Sequence, residues 1–166
     1  MKAEALQSEF GAIKTFEEVI DAPCCSIGYL AKEKGPEAAR DLVALLIAQF
    51  VDSVNVGQTL NKTQILILAE DILEEFNKLK ISDLILFFKM ARRGKFGEFY
   101  NILSGEKVFS WLNQYFDQRC NFAESRSIRQ SQRHKKDEVL EISHTRNVTK
   151  ANGYVKQVTD RIVKRL

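Results

Sequence analysis

The chain has 166 residues, 45% of them hydrophobic and 28% charged, with a formal net charge of +3. That length suits one domain plus an extension, with enough burial to close a core without metal or disulfide support, and no apolar run reaches the roughly 18 residues that cross a bilayer. Two prolines, eight glycines and a lack of alternating β-branched runs argue against a sheet and predict an all-α protein.

Glu4 and Glu9 stand where a signal peptide would carry its apolar region, so secretion has no support and a cytoplasmic location is expected. Cys24, Cys25 and Cys120 are odd in number, and two of them are adjacent, a pair that forms no ordinary disulfide with itself; reduced thiols are expected. With only His134 and His144 to join them, no zinc-ligand spacing appears, and no metal or cofactor is expected.

In chain order, Thr15-Phe16-Glu17-Glu18 reads as a capping box that opens a short helix to about Ala22, stopped by Pro23. Ser26 to Lys34 predicts a second short helix ended by Gly35. Pro36 suits a first helical position, where its missing N–H costs nothing. From there Leu42, Val43, Leu45, Leu46, Ile47, Phe50, Val51 and Val54 make a helix apolar over most of its circumference, expected at the centre of a bundle and closed by Gly57. Asn61 with Gln64 starts the next helix, apolar at Ile65, Leu68, Ala69, Ile72, Leu73, Phe76 and Leu79 and acidic on its outer face at Glu70, Asp71, Glu74 and Glu75. Ser82 is expected to cap a helix from Asp83 to Arg93, with Arg92 and Arg93 at its negative end and Gly94 as the left-handed residue that finishes it. A short helix from about Glu98 to Leu103 should follow, and then a longer one from Glu106, apolar at Val108, Phe109, Leu112, Tyr115 and Phe116.

The character changes beyond Arg119. Ser125 to Asp137 holds one apolar residue in thirteen and predicts a solvated helix or connector, Asn152-Gly153 predicts a break, and Val155, Val158, Ile162 and Leu166 make a narrow amphipathic stripe. The expected organisation is therefore a compact helical bundle over residues 1–120 and a basic, partly extended helical tail over 121–166. Residues 117–166 hold twelve Lys or Arg against six Asp or Glu, a balance of +6, whereas the other 116 hold thirteen against sixteen, a balance of −3. An acidic body with a basic tail suggests contact with a polyanion or an acidic protein surface.

Two groups of residues are candidates for such contact. Arg92, Arg93 and Lys95 stand beside Phe96, Phe99 and Tyr100, so cations for phosphates and rings for stacking occur within nine residues. A core role for those rings, with the cations complementing a helix end, is the competing reading. Arg126, Arg129, Arg133, Lys135 and Lys136 form the second group, the first three spaced to share one helix face; a solvated linker is its competing reading. Trp111 and Tyr115 are expected in the core. No catalytic residues are assigned, because both histidines lie in the polar tail and the acidic pairs of the fourth helical segment lack the Glu-x-x-His partners of a di-metal bundle. No small-molecule substrate is inferred.

Phe88, Gly94-Lys95-Phe96-Gly97, Phe99-Tyr100, Trp111-Leu112, Tyr115 and Arg119, with Asn55-Val56-Gly57 and the run Gln64 to Phe76 upstream, resemble a family of small helical proteins of unassigned function encoded by gut anaerobic bacteria, their mobile elements and their phages. The resemblance covers about residues 26–120 and leaves the tail outside its pattern. It implies an association with accessory proteins that phages and plasmids carry near replication genes. The leading expectation is a non-enzymatic accessory protein that associates with nucleic acid or a nucleoprotein complex. The alternative is a protein-binding module, either a virion component or an inhibitor of a host enzyme, that docks or self-associates through Val155, Val158, Ile162 and Leu166.

Overall fold

A computed structural model describes the backbone of residues 13–98 and 102–163, and the side chains of residues 13–98, 102–133 and 135. Among the described residues the fold is all-α, with helices α1 (Phe16–Asp21), α2 (Ile27–Lys34), α3 (Pro36–Ser53), α4 (Lys62–Glu75), α5 (Ile81–Arg92) and α6 (Gly105–Val163). The chain divides into two units, Met1–Phe122 and Ala123–Leu166.

Local chemistry starts most of these helices. Thr15 Oγ1 accepts from Glu18 N at 3.3 Å while Glu18 Oε2 accepts from Thr15 N at 3.0 Å, so two amides with no intrahelical partner are satisfied reciprocally. Asn61 and Gln64 repeat the arrangement at α4, each bond 2.9 Å long, and Ser26 Oγ accepts from Tyr29 N at α2. Pro36 occupies the first turn of α3. Gly94 takes φ +71 after α5, where Lys95 N donates to Met90 O at 3.1 Å and Gly94 N to Ala91 O at 2.9 Å, the two bonds of a Schellman ending.

The order of α5 differs from the expectation. Its N-cap is Lys80, two residues earlier than Ser82, because Asp83 reaches back with Oδ2 to accept from Lys80 N at 2.9 Å. Ser82 lies inside the helix, fully buried, with its hydroxyl unpartnered among the described residues. Three further expectations are corrected. Helix α3 ends at Ser53 rather than Gly57, where Ser53 Oγ donates to Phe50 O and draws the last turn closed. Glu98, Ile102 and Leu103 are not helical: Ile102 bridges Gln58 in parallel and Leu103 N donates to Gln58 O at 2.9 Å, so the backbone is satisfied by a neighbouring segment. Helix α6 continues through Asn152-Gly153, since both residues keep the N–H that the helical ladder needs and only weaken it, by about 1 kcal/mol for glycine.

Helix α3 packs against α2, α4 and α5, which places Val43, Ala44, Leu46, Ile47, Phe50 and Val51 in the core of the first unit as its spacing requires. Large rings attach α6 to this layer. Tyr115 meets Phe16 at 5.3 Å and Phe87 at 5.8 Å between centroids, and Phe76 meets Phe109 and Phe116 at 5.4 and 5.6 Å, edge to face. Phe87 has no exposed surface and touches Phe88, Phe96 and Tyr115; truncating it to Ala would cost about 3–5 kcal/mol. Trp111 and Tyr115 are core residues, as their spacing on α6 predicts.

Two lysines tie the N-terminal segment to α5. Lys80 Nζ donates to Ile20 O at 2.8 Å and Ala22 O at 2.9 Å, satisfying carbonyls at the end of α1 that have no helical partner. Lys89 Nζ donates to Ile13 O at 2.9 Å. The three cysteines are free thiols, Cys24 half-buried and the other two exposed.

Candidate functional site

The Schellman ending of α5 determines which side chains of the expected binding corner face solvent. Reversal of the chain at Gly94 leaves Arg92, Arg93 and Lys95 exposed, with no ion pair among the described residues, and turns Phe96 inward. Phe96 is 9% exposed and packs against Phe87, ring centroids 5.6 Å apart, so it offers no face to a base. That corrects its assignment as a stacking residue, and the reason is the depth of the aromatic core beneath the turn. Gly97, at φ +135, completes the reversal and sits where a side chain would approach Trp111 Nε1 to 3.8 Å. Tyr100 lies outside the described residues.

The field at this corner is positive. Burial holds the Lys89 ammonium below the usual lysine range, and repulsion from Arg93, Arg92 and Lys14 adds to the effect. Glu18 opposes that repulsion, but its carboxylate is already engaged by the amides of Lys14 and Thr15, bonds that lower its pKa. Glu98, also exposed, ends the turn.

In the second unit, Arg129, Arg133 and Lys135 are exposed on α6 and make no ion pair among the described residues; Arg129 Nε donates to Ser125 O one turn back. Arg126 is half-buried and engaged. The side chains of Lys136, Val155, Val158 and Ile162 lie outside the described ones, although their backbone is helical, and Leu166 lies outside the described residues.

Arg119 behaves differently from the arginines beyond it. Its Nε donates to Asp83 Oδ1 at 2.7 Å, and the same oxygen accepts from Tyr115 OH at 2.9 Å. Asp83 is completely buried, Arg119 keeps 20% of its side chain exposed, and the pair neutralises itself within the fold. Asp83 thus accepts three hydrogen bonds, which start α5 and fasten α6 to it. Burial, followed by the Asp83 charge, drives the Tyr115 hydroxyl far above its ordinary value, so it stays a donor. Sequence reasoning missed this cluster. Only the four-residue step from Tyr115 to Arg119 hinted at it, and Asp83 lies 32 and 36 positions from its partners.

Among the described residues no group of three or more His, Cys, Asp or Glu is placed to hold a metal ion, and no helix is long and apolar enough to cross a membrane. The fold and its exposed side chains define an all-helical protein with a cationic corner at the end of α5 and a basic stretch on α6. The chain belongs to a family of unknown function (DUF6633), which matches residues 61–164. That span includes most of the tail, which the sequence resemblance over residues 26–120 left out. Neither a curated protein nor a solved structure matches it.

Proposed function

We propose that this chain is a non-enzymatic accessory protein of a phage or mobile element that associates with nucleic acid through phosphate contacts. The observation that carries the reading is the corner at Arg92, Arg93 and Lys95: three exposed cations without a carboxylate partner among the described residues, two of which, Arg92 and Arg93, add their repulsion to the burial that lowers the Lys89 pKa. The exposed Arg129, Arg133 and Lys135 add a second set on the other unit. Resemblance of the segment from Phe88 to Arg119 to small proteins of gut anaerobes, their mobile elements and phages supports the setting. With Phe96 buried, binding by ring stacking has no support from that residue, and contacts to the backbone of a duplex, indifferent to sequence, fit the corner better.

Fluorescence anisotropy of a labelled duplex across a salt series tests this. Each neutralised phosphate contributes about −0.9 to the slope of log K against log salt, so Ala at Arg92, Arg93 and Lys95 together should flatten the slope by about 2.7 and leave the thermal midpoint unchanged. Binding indifferent to salt, or none at low salt, refutes it.

A further inference from the structure

A groove in the first unit lies where α4 meets the start of α6. Its volume is about 390 Å³. Leu60, Ile67, Leu68 and Phe109 supply its apolar surface, and Asp71 and Glu106 stand at its edge. Ile67 is 53% exposed, an unusual position for a large aliphatic side chain on a helix whose spacing buries Leu68 and Ile72. Leu60 and Leu68 are themselves buried, and Gly105 brings no side chain into the groove.

The charged residues that line this groove have one sign. None of its lining residues is basic, and α4 also exposes Glu74 and Glu75. Lys107, the cation beside Glu106, is occupied elsewhere: its Nζ donates to Glu98 O at 2.9 Å and lies 5.3 Å over the Trp111 ring. A complementary occupant carries aliphatic residues at helical spacing with cations beside them. The chain itself contains one such segment, helical in the structure: Val155, Val158 and Ile162 recur at steps of three and four, with Lys156 and Arg161 against the single acid Asp160.

We propose that the groove lined by Leu60, Ile67, Leu68 and Phe109 receives the segment Tyr154–Val163 of a second copy of this chain. A reciprocal exchange fills both grooves of a twofold pair with one kind of contact. The apolar stripe replaces water over Ile67, while Lys156 and Arg161 meet Asp71 and Glu106.

Sedimentation equilibrium of the full chain without nucleic acid, from about 1 to about 100 µM, tests this over the range where a contact of modest size titrates. The wild type is expected to form dimers that loosen with salt. Ile67→Arg on the groove and Ile162→Glu on the segment should each raise the dimer dissociation constant by about tenfold or more, and the double variant little further. Ile67 is exposed, so an unchanged thermal midpoint verifies that I67R is folded. A chain monomeric throughout overturns the proposal, as does a dimer that survives either single variant, because a contact that needs only one of the two sides has a different occupant. Ala at Arg92, Arg93 and Lys95 should leave dimerisation unchanged, so failure of phosphate binding and failure of this contact are read separately.

Discussion

Replacing Asp83 with Asn removes one charge from the place where α5 and α6 are joined, at nearly constant volume. In the wild type Asp83 Oδ2 accepts from Lys80 N, and Oδ1 accepts from Tyr115 OH and Arg119 Nε at 2.9 and 2.7 Å. An amide has one acceptor oxygen, so if it continues to face Tyr115 and Arg119 its NH₂ confronts the donating Lys80 amide. Breaking a buried ion pair from one side costs about 3–5 kcal/mol, and the lower end applies here because a fifth of the Arg119 side chain still reaches water. The expected loss is about 3 kcal/mol, a third or more of the stability of a modest domain. Urea unfolding followed by circular dichroism should therefore show the midpoint falling by about 1.5 M for a slope near 2 kcal/mol per M. Tyr115→Phe removes one hydrogen bond and leaves the charge paired, so it should cost about 1.5 kcal/mol, and a double-mutant cycle should show the two sites coupled. If Asp83→Asn unfolds within about 0.5 kcal/mol of the wild type, the cluster is not what fastens α6, and the reasoning fails.

Other outcomes follow from neighbouring residues. The Tyr115 hydroxyl, raised in the fold above its ordinary value of 10.0, contributes stability below about pH 10 that is lost as pH rises, because only the unfolded chain can then ionise; the wild-type advantage over Tyr115→Phe should shrink by about 1.4 kcal/mol per pH unit above 10 in urea melts. Ser82→Ala should be neutral or stabilising by up to about 1 kcal/mol, since its buried hydroxyl has no partner among the described residues; a clear loss of stability would reveal one. Lys80→Met strips two carbonyls at the end of α1 of their donor and should cost about 1.5–3 kcal/mol, with faster amide exchange confined to residues 16–22 as the local signature. For Gly28→Ala, helix propensity alone predicts a gain, but the new Cβ would meet Asn77 O at 2.9 Å; a net loss of about 1–3 kcal/mol in thermal melts is expected, and a gain would show that the α4–α5 connection yields freely.

What the linear chain determined about this protein is whatever acts across about four residues. The boxes at Thr15 and Asn61, Pro36 at the head of α3 and Gly94 at the tail of α5 mark helix ends because donor, acceptor and dihedral all lie within one turn. The apolar spacing of α3, α4 and α6 identifies the core for the same reason, and the exposed cations at 92, 93 and 95 follow from their place at a helix end. Long-range geometry settled the remainder. Phe96 and its cationic neighbours look alike as binding residues until Phe87 is seen beneath the turn to claim the ring. Arg119 reads as a basic residue at the end of the bundle, with no local partner, until Asp83, 36 positions earlier, neutralises it. Ser82 reads as a cap until Asp83 takes that role, and Gly28 carries no sequence mark of the Asn77 carbonyl against which it packs. In each case the deciding partner is a buried side chain or a backbone carbonyl brought close only by the packing of whole helices, and no local pattern can register its presence.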